Sequence, residues 1–165
     1  MSANSVEDNL HALGLSELKV HKPAAEYVAT RICGDQVFIS GQVSMDSDHI
    51  VSGRIGRDLT PEQGYDAARL CGINILAQLK QACDGDLNRV RNCIRLTGFV
   101  RCSQDFTDIP QVINGASELM YAVFGECGRH ARTSVGVSSL PRGAAVEVDA
   151  IFQISDAGGG IMAKY

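Results

Sequence analysis

A long amphipathic helix predicted to begin at residue 60 is the feature that most limits how this chain can fold. Thr60 is a typical N-cap residue, Pro61 suits the first helical position, and Gln63 can complete a capping box. Apolar residues then recur at steps of three and four, at Ala67, Ala68, Cys71, Ile75, Leu79 and Ala82. Gly85 is predicted to end the helix. A helix with one apolar face has to be covered by another element, so the chain must supply one.

The rest of the chain supplies strands and a second helix. That helix is predicted to begin at Asp108, with Gln111 as its capping-box partner, and to end at Gly125. Two strands are predicted to form a hairpin over 27–42, with its turn at Gly34-Asp35. A further strand is predicted over 89–102, with Ile94, Leu96 and Val100 on one face. The final two strands are predicted over 131–139 and 145–154, and the turn at 140–143 joins them. The order β-β-(β)-α-β-α-β-β predicts an α+β fold, a mostly antiparallel sheet with two helices on one face.

Length and composition are typical of one globular domain. The chain has 165 residues, of which 45% are hydrophobic and 21% charged. We expect a single domain over 1–165, made of an N-terminal extension over 1–24, a core over 25–154 and a flexible tail over 155–165. The extension is predicted to hold a short helix capped by Ser5 and Asp8. No apolar run approaches the ~20 residues that cross a bilayer, and no signal peptide is evident, so we expect a cytoplasmic protein.

Charge and ligand-forming residues exclude several classes of function. The net charge of −4 disfavours nucleic-acid binding, because phosphate contacts normally require a basic excess. The six cysteines and four histidines show no zinc-binding spacing, so we expect no zinc site. We interpret the cysteines as reduced thiols that serve as small core residues, with a redox-sensing thiol as the alternative.

The last two strands carry the most informative polar residues. Arg132 and Ser134 share one face of the first strand, and Glu147 and Asp149 share one face of the second. If the two strands form a hairpin, an arginine and a carboxylate would lie close together on one surface. One interpretation is an exposed ion pair worth under about 1 kcal/mol. The other is an arginine that binds a substrate carboxylate, beside a carboxylate that orients water.

Five short segments together carry a family resemblance. They are Phe-Ile-Ser-Gly-Gln at 38–42, Asp-Leu-Thr at 58–60, Ala-Arg-Thr-Ser-Val-Gly-Val at 131–137, Leu-Pro at 140–141 and Val-Glu-Val-Asp-Ala-Ile at 146–151. With these residues, the chain resembles the YjgF/RidA proteins over roughly residues 25–154. These are reactive intermediate imine deaminases, also labelled endoribonuclease L-PSP. The longer N-terminus and the Asn-Gly-Ala-Ser helix segment at 114–117 resemble a longer, less-studied branch of the family.

The resemblance implies a fold, an assembly and a reaction. The fold would be the chorismate-mutase-like α+β domain. Three copies would form a homotrimer around a central barrel, with sites in the clefts between subunits. The reaction would be hydrolysis of enamine and imine acids, such as 2-aminoacrylate, to 2-keto acids and ammonia, without a metal or an organic cofactor.

The resemblance also implies roles for single residues. Arg132 would hold the substrate carboxylate, and Glu147 would position or activate the attacking water. Ser134 stands where well-studied members have a cysteine. The remaining implied substrate-binding positions are Tyr27, Ser40, Gly41 and Asn114.

Two other functions stay open. A trimeric binder of small carboxylate metabolites would use Arg132 in the same way but without turnover. An RNA endonuclease is an activity attached to the family name, and the negative net charge disfavours it.

Overall fold

The computed structural model describes residues 5–23 and 25–155, and the remainder of the tail predicted to be flexible lies outside the described residues. The helices and strands are α1 (Val6–Ala12), β1 (Thr30–Cys33), β2 (Gln36–Val43), β3 (Met45–Asp46), β4 (His49–Ile50), α2 (Pro61–Ala82), β5 (Val90–Arg101), α3 (Ile109–Phe124), β6 (Ala131–Val137) and β7 (Val146–Ile154). Short 3-10 turns lie at Leu87–Arg89, Gly125–Gly128 and Pro141–Gly143.

Helix α2 begins where the sequence predicted. The backbone N–H of Gln63 donates to Thr60 Oγ1 (3.2 Å), and the N–H of Thr60 donates to Gln63 Oε1 (2.8 Å), so the capping box is complete. Ser5 and Asp8 form the same motif at the start of α1. Helices α2 and α3 pack against each other and cover one face of the main sheet, and the core lies between these two layers. The predicted α+β fold is therefore confirmed.

The main sheet has the strand order β1-β2-β7-β5-β6. The hairpin of β1 and β2 is confirmed, but the predicted hairpin of the last two strands is wrong. Strand β5 lies between β6 and β7; it is parallel to β6 and antiparallel to β7. The connection from β5 to β6 contains α3, and helix-containing connections of this kind commonly join parallel neighbours. The turn at 140–143 then carries the chain across the end of β5, where Arg101 Nη1 donates to Gly143 O (3.0 Å).

Strand β7 alternates between the two faces of the sheet as predicted. Its buried residues are Val146, Val148, Ala150, Phe152 and Ile154. The half-buried residues between them face away from the helices. A five-strand sheet with helices on one face leaves the other face uncovered in a single chain, and exposed apolar side chains such as Phe38 and Val135 lie there.

Two local predictions are wrong. The pairing of β5 with β7 shifts register between Cys93 and Arg95, so Cys93 takes the buried position that alternation assigned to Ile94. Asp108 does precede α3, but its side chain makes no capping hydrogen bond, so the predicted box with Gln111 does not form. A bulge and a cap conformation both depend on neighbouring elements, and a sequence pattern does not report these.

The cysteine prediction is correct for some of the thiols and wrong for others. All six are free; Cys71, Cys83 and Cys93 are buried in the core, whereas Cys33 and Cys127 are exposed. None of the helices in the described residues is long and apolar enough to cross a membrane.

Candidate functional site

Arg132 is fixed on β6 by three acceptors from α3. Its Nη1 donates to Asn114 Oδ1 (2.8 Å) and to Ser117 Oγ (3.0 Å), and its Nη2 donates to Pro110 O (3.3 Å). A guanidinium has five N–H donors. Two of them, on Nε and Nη2, therefore have no acceptor among the described residues. The predicted residues Arg132 and Asn114 are thus in contact, and Ser134 follows two positions later on the same face of β6.

Glu147 lies on β7 against the backbone of Gly41. A Cβ at Gly41 would overlap Glu147 Oε1 and lie 2.9 Å from its Cδ, so glycine leaves the space that the carboxyl group occupies. The register of β2 against β7 shifts between Ile39 and Gln42, which places Gly41 within an irregularity of the strand. Burial raises the pKa of Glu147, and the nearby charge of Asp149 adds to this effect, so the carboxyl keeps its proton to a higher pH than an exposed glutamate.

A cavity of about 110 Å³ brings Glu147 together with two other predicted residues, Tyr27 and Gly41. Arg142, which the sequence did not single out, also lines it. Ser40 lies in a neighbouring groove on the open face of the sheet instead. Its hydroxyl donates to Val28 O (2.8 Å) and so braces the segment that carries Tyr27.

Arg132 and Glu147 lie on opposite sides of the sheet. Arg132 is in register with Leu96, and Leu96 is in register with Ala150; both of these partners are buried beneath the helices. Glu147 is three residues from Ala150 and has the opposite orientation. Two strand spacings and three residues along a strand separate the Cα atoms of Arg132 and Glu147 by about 14 Å. The prediction that this arginine and this carboxylate share one surface of the chain is therefore wrong: β5 separates their strands, and the register across β5 places them on opposite faces.

Comparison with known proteins places the chain in a family. The model of the family described as "YjgF/chorismate_mutase-like, putative endoribonuclease" matches residues 7–152. The chain belongs to this family. It is 42% identical to Protein TCP17 of Trypanosoma cruzi over 158 residues, which cover 94% of this chain and 98% of that protein.

Two solved structures support the assignment to the YjgF-like family. One is protein Atu1372 of Agrobacterium tumefaciens, of unknown function, with 46% identity, a TM-score of 0.82, and 91% and 93% of the two chains covered. The other is a "putative endoribonuclease" of Shewanella oneidensis MR-1, with 34% identity, a TM-score of 0.87, and 92% and 100% covered. The resemblance drawn from the sequence motifs is confirmed at the level of family and fold.

In this YjgF-family chain, Ser117 and His130 complete the surroundings of Arg132, and the sequence analysis missed both. Ser117 Oγ lies 2.9 Å from His130 Nε2, and His130 Nδ1 lies 2.7 Å from Gly128 O. Only a protonated Nδ1 can donate to a carbonyl, so in the neutral ring Nε2 accepts the hydroxyl proton of Ser117. Burial lowers the pKa of His130, and the positive charge of Arg132 lowers it further, so the ring stays neutral to a lower pH than an exposed histidine.

Sequence spacing contains a partial signal for these two residues. Asn114 and Ser117 are three apart on a predicted helix, so they share a face, and His130 directly precedes the predicted strand that carries Arg132. What spacing does not give is the packing of that helix against that strand. Within residues 5–23 and 25–155, no three His, Cys, Asp or Glu side chains are grouped as metal ligands would be.

Proposed function

We propose that this protein hydrolyses reactive enamine and imine acids, such as 2-aminoacrylate, to 2-keto acids and ammonia, at clefts between the subunits of a homotrimer. The observation that carries the proposal is the way Arg132 is held. Three acceptors on α3 fix the guanidinium and leave two N–H donors for a ligand. Together with the family membership, this favours a small carboxylate as the ligand.

Arg132 would bind the substrate carboxylate. A guanidinium that donates two parallel N–H bonds to a carboxylate gives both charge pairing and a fixed orientation. Asn114 and Ser117 use the two Nη1 donors, so they prevent the arginine from rotating away when the site is empty. The substrate therefore enters a site whose charged group is already ordered, which reduces the entropy lost on binding.

Glu147 would carry the proton transfers. Its raised pKa brings the carboxyl closer to neutral pH, where a group can both accept and return a proton. Water attacks the protonated C=N carbon and gives a proton to Glu147. Glu147 returns this proton to the nitrogen of the carbinolamine, and the C–N bond then breaks while the carbinol hydroxyl gives its own proton to Glu147. That second proton leaves with ammonia as ammonium, and the 2-keto acid is released. An iminium carbon is already electrophilic, so orientation of the water supplies much of the rate.

Arg132 and Glu147 can act on one substrate molecule only if they come from different chains. Arg132 belongs to the edge strand β6 and faces the helix side, whereas Glu147 faces the open side about 14 Å away. The open side carries exposed apolar residues, among them Phe38 (40% exposed) and Val135 (40%), which a second copy would cover. A closed ring of three copies would create three equivalent clefts.

Complementation between two inactive variants tests this arrangement. Arg132→Ala and Glu147→Gln should each abolish the release of keto acid when an amino-acid oxidase generates the imine in situ. Arg91→Ala, an exposed arginine on β5, is the matched control and should retain activity. When the two inactive variants are unfolded together and refolded as mixed trimers, about a quarter of the clefts regain one intact Arg132 and one intact Glu147.

Recovery of about that fraction of the wild-type rate supports a site built from two chains. No recovery in a sample that native mass spectrometry shows to contain trimers of both variants would contradict it. Calorimetric binding of a 2-keto acid without any hydrolysis of imines would replace the proposal with a carboxylate binder. Cleavage of RNA that co-elutes with the trimer and is lost in Arg132→Ala would replace it with an endonuclease.

A further inference from the structure

The cavity beside α3 holds a serine–histidine pair whose proton transfer imine hydrolysis does not require. This cavity has a volume of about 350 Å³, and Ser117, His130 and Arg132 line it together with Tyr121 and Arg129. Ser117 donates its hydroxyl proton to His130 Nε2 across 2.9 Å. A nucleophile, a base within hydrogen-bonding distance and a third group that orients the base are the parts of a covalent hydrolytic site.

The third group is the carbonyl of Gly128, and its position is fixed by packing. The Gly125–Gly128 turn lies directly on α3: a Cβ at Gly128 would overlap Met120 O and lie 2.6 Å from the Met120 carbonyl carbon. The carbonyl of Gly128 therefore has little freedom to move. Its 2.7 Å hydrogen bond with Nδ1 holds the imidazole with Nε2 directed at Ser117.

Arg132 supplies positive charge at the atom that would become negative. Its Nη1 donates to Ser117 Oγ across 3.0 Å, and a fixed cation at that distance stabilises a developing alkoxide. Arg129 adds a second cation at the rim, where it lies over the Tyr121 ring at 4.6 Å from the centroid and pairs with Glu126. Glu118 also lines the cavity and Glu126 already pairs with Arg129, so the group that would bind a ligand's carboxylate is Arg132, which keeps two N–H donors without an acceptor among the described residues.

We propose that Ser117 is the nucleophile and His130 the general base of a second activity, the hydrolysis of small esters and thioesters that bear a carboxylate. Ser117 Oγ forms a bond to the acyl carbon while its proton passes to His130 Nε2. The bond to the leaving alkoxide or thiolate breaks, and that group takes the proton. Water then adds to the acyl carbon, gives a proton to Nε2, and displaces Ser117, whose oxygen recovers the proton. Ester and water become acid and alcohol, or acid and thiol.

Covalent labelling of the unmodified protein tests the nucleophile directly. The purified full chain is incubated with a fluorophosphonate, and the modified peptide is identified by mass spectrometry. An adduct on Ser117 that a small dicarboxylate monoester slows is the expected result. Because this experiment uses no variant, it does not depend on whether any substitution folds. Labelling elsewhere, or no labelling at all, would overturn the proposal.

Variants give the kinetic counterpart. Ser117→Ala and His130→Ala should each lower the hydrolysis of 4-nitrophenyl hemisuccinate by at least about 100-fold. Ser138→Ala and His49→Ala, both exposed, are the matched controls and should stay within twofold of wild type. Unchanged hydrolysis in a folded Ser117→Ala would refute the assignment. The labelling readout is covalent modification of Ser117 Oγ, a step that imine hydrolysis does not include, although Ser117 also positions Arg132 there. Imine hydrolysis without an adduct on Ser117 would refute this second activity alone, and an adduct without imine hydrolysis would refute the first alone.

Discussion

Replacing Gly41 with alanine should disable the carboxyl group of Glu147 without changing Arg132, the proposed binding group for the substrate carboxylate. The added Cβ would overlap Oε1 and lie 2.9 Å from Cδ and 3.1 Å from Cγ of Glu147. Ordinary van der Waals contact begins near 3.4 Å, so the carboxyl group has to move. Gly41 is not among the residues with positive φ, so alanine fits its backbone without strain.

The expected effects on activity and on stability differ in size. The atoms that clash belong to the end of a flexible side chain, so the stability cost should be at or below the low end of the ~1–3 kcal/mol typical of overpacking. A displacement of about 1 Å at a reacting group can cost about 100-fold in rate. We therefore expect Gly41→Ala to fold normally and to lose about 100-fold in imine hydrolysis, while binding of a 2-keto acid to Arg132 stays within about threefold.

The assay measures the release of keto acid from imine generated in situ, together with urea unfolding and calorimetric binding. Gly72→Ala is the matched control, because its Cβ would press on Leu119 Cδ2 at 3.0 Å in the helix layer, away from Glu147. It should lower stability without a specific loss of activity. If Gly41→Ala hydrolyses imines within twofold of wild type, the position of the Glu147 carboxyl does not matter for the reaction, and its assignment as the proton carrier is wrong.

Three further predictions follow from charge and burial. The raised pKa of Glu147 makes its ionisation unfavourable in the fold, so the protein loses stability as pH rises through that pKa. Glu147→Gln should therefore be more stable than wild type at pH 8 but not at pH 4. An equal change at both pH values in urea unfolding would contradict this. Arg132→Lys keeps the charge but loses the planar set of donors, so imine hydrolysis should fall about 100-fold, and a rate near wild type would show that simple charge suffices. Burial raises the pKa of Cys93 to about 12, so this thiol should react with iodoacetamide at pH 8 only after unfolding. In the native protein, iodoacetamide should modify the exposed Cys33 and Cys127. Mass spectrometry checks this by counting the modified thiols before and after unfolding.

The sequence predicted those parts of the fold that neighbouring residues decide. The start of α2 depends on Thr60 and Gln63, which are three positions apart, and the structure shows both hydrogen bonds of their capping box. The two faces of β7 follow from the alternation of apolar and polar residues along one strand. Such patterns report local geometry because the periods of helices and strands are fixed. The motifs at 131–137 and 146–151 also carried the family assignment, which the family model confirmed.

The arrangement of the candidate site was decided by tertiary structure alone. The sequence places Arg132 and Glu147 on consecutive strands. The insertion of β5 separates those strands, and the pairing register across β5 puts the two residues on opposite sides of the sheet. The contact of Ser117 with His130 likewise requires α3 to pack on the Gly125–Gly128 turn. Strand order and the packing of elements depend on the burial of surfaces that are far apart in the sequence, and no short segment determines the free energy of that burial. The sequence thus determined which elements form and which residues are candidates for the chemistry, whereas the packed fold determined which of those residues meet.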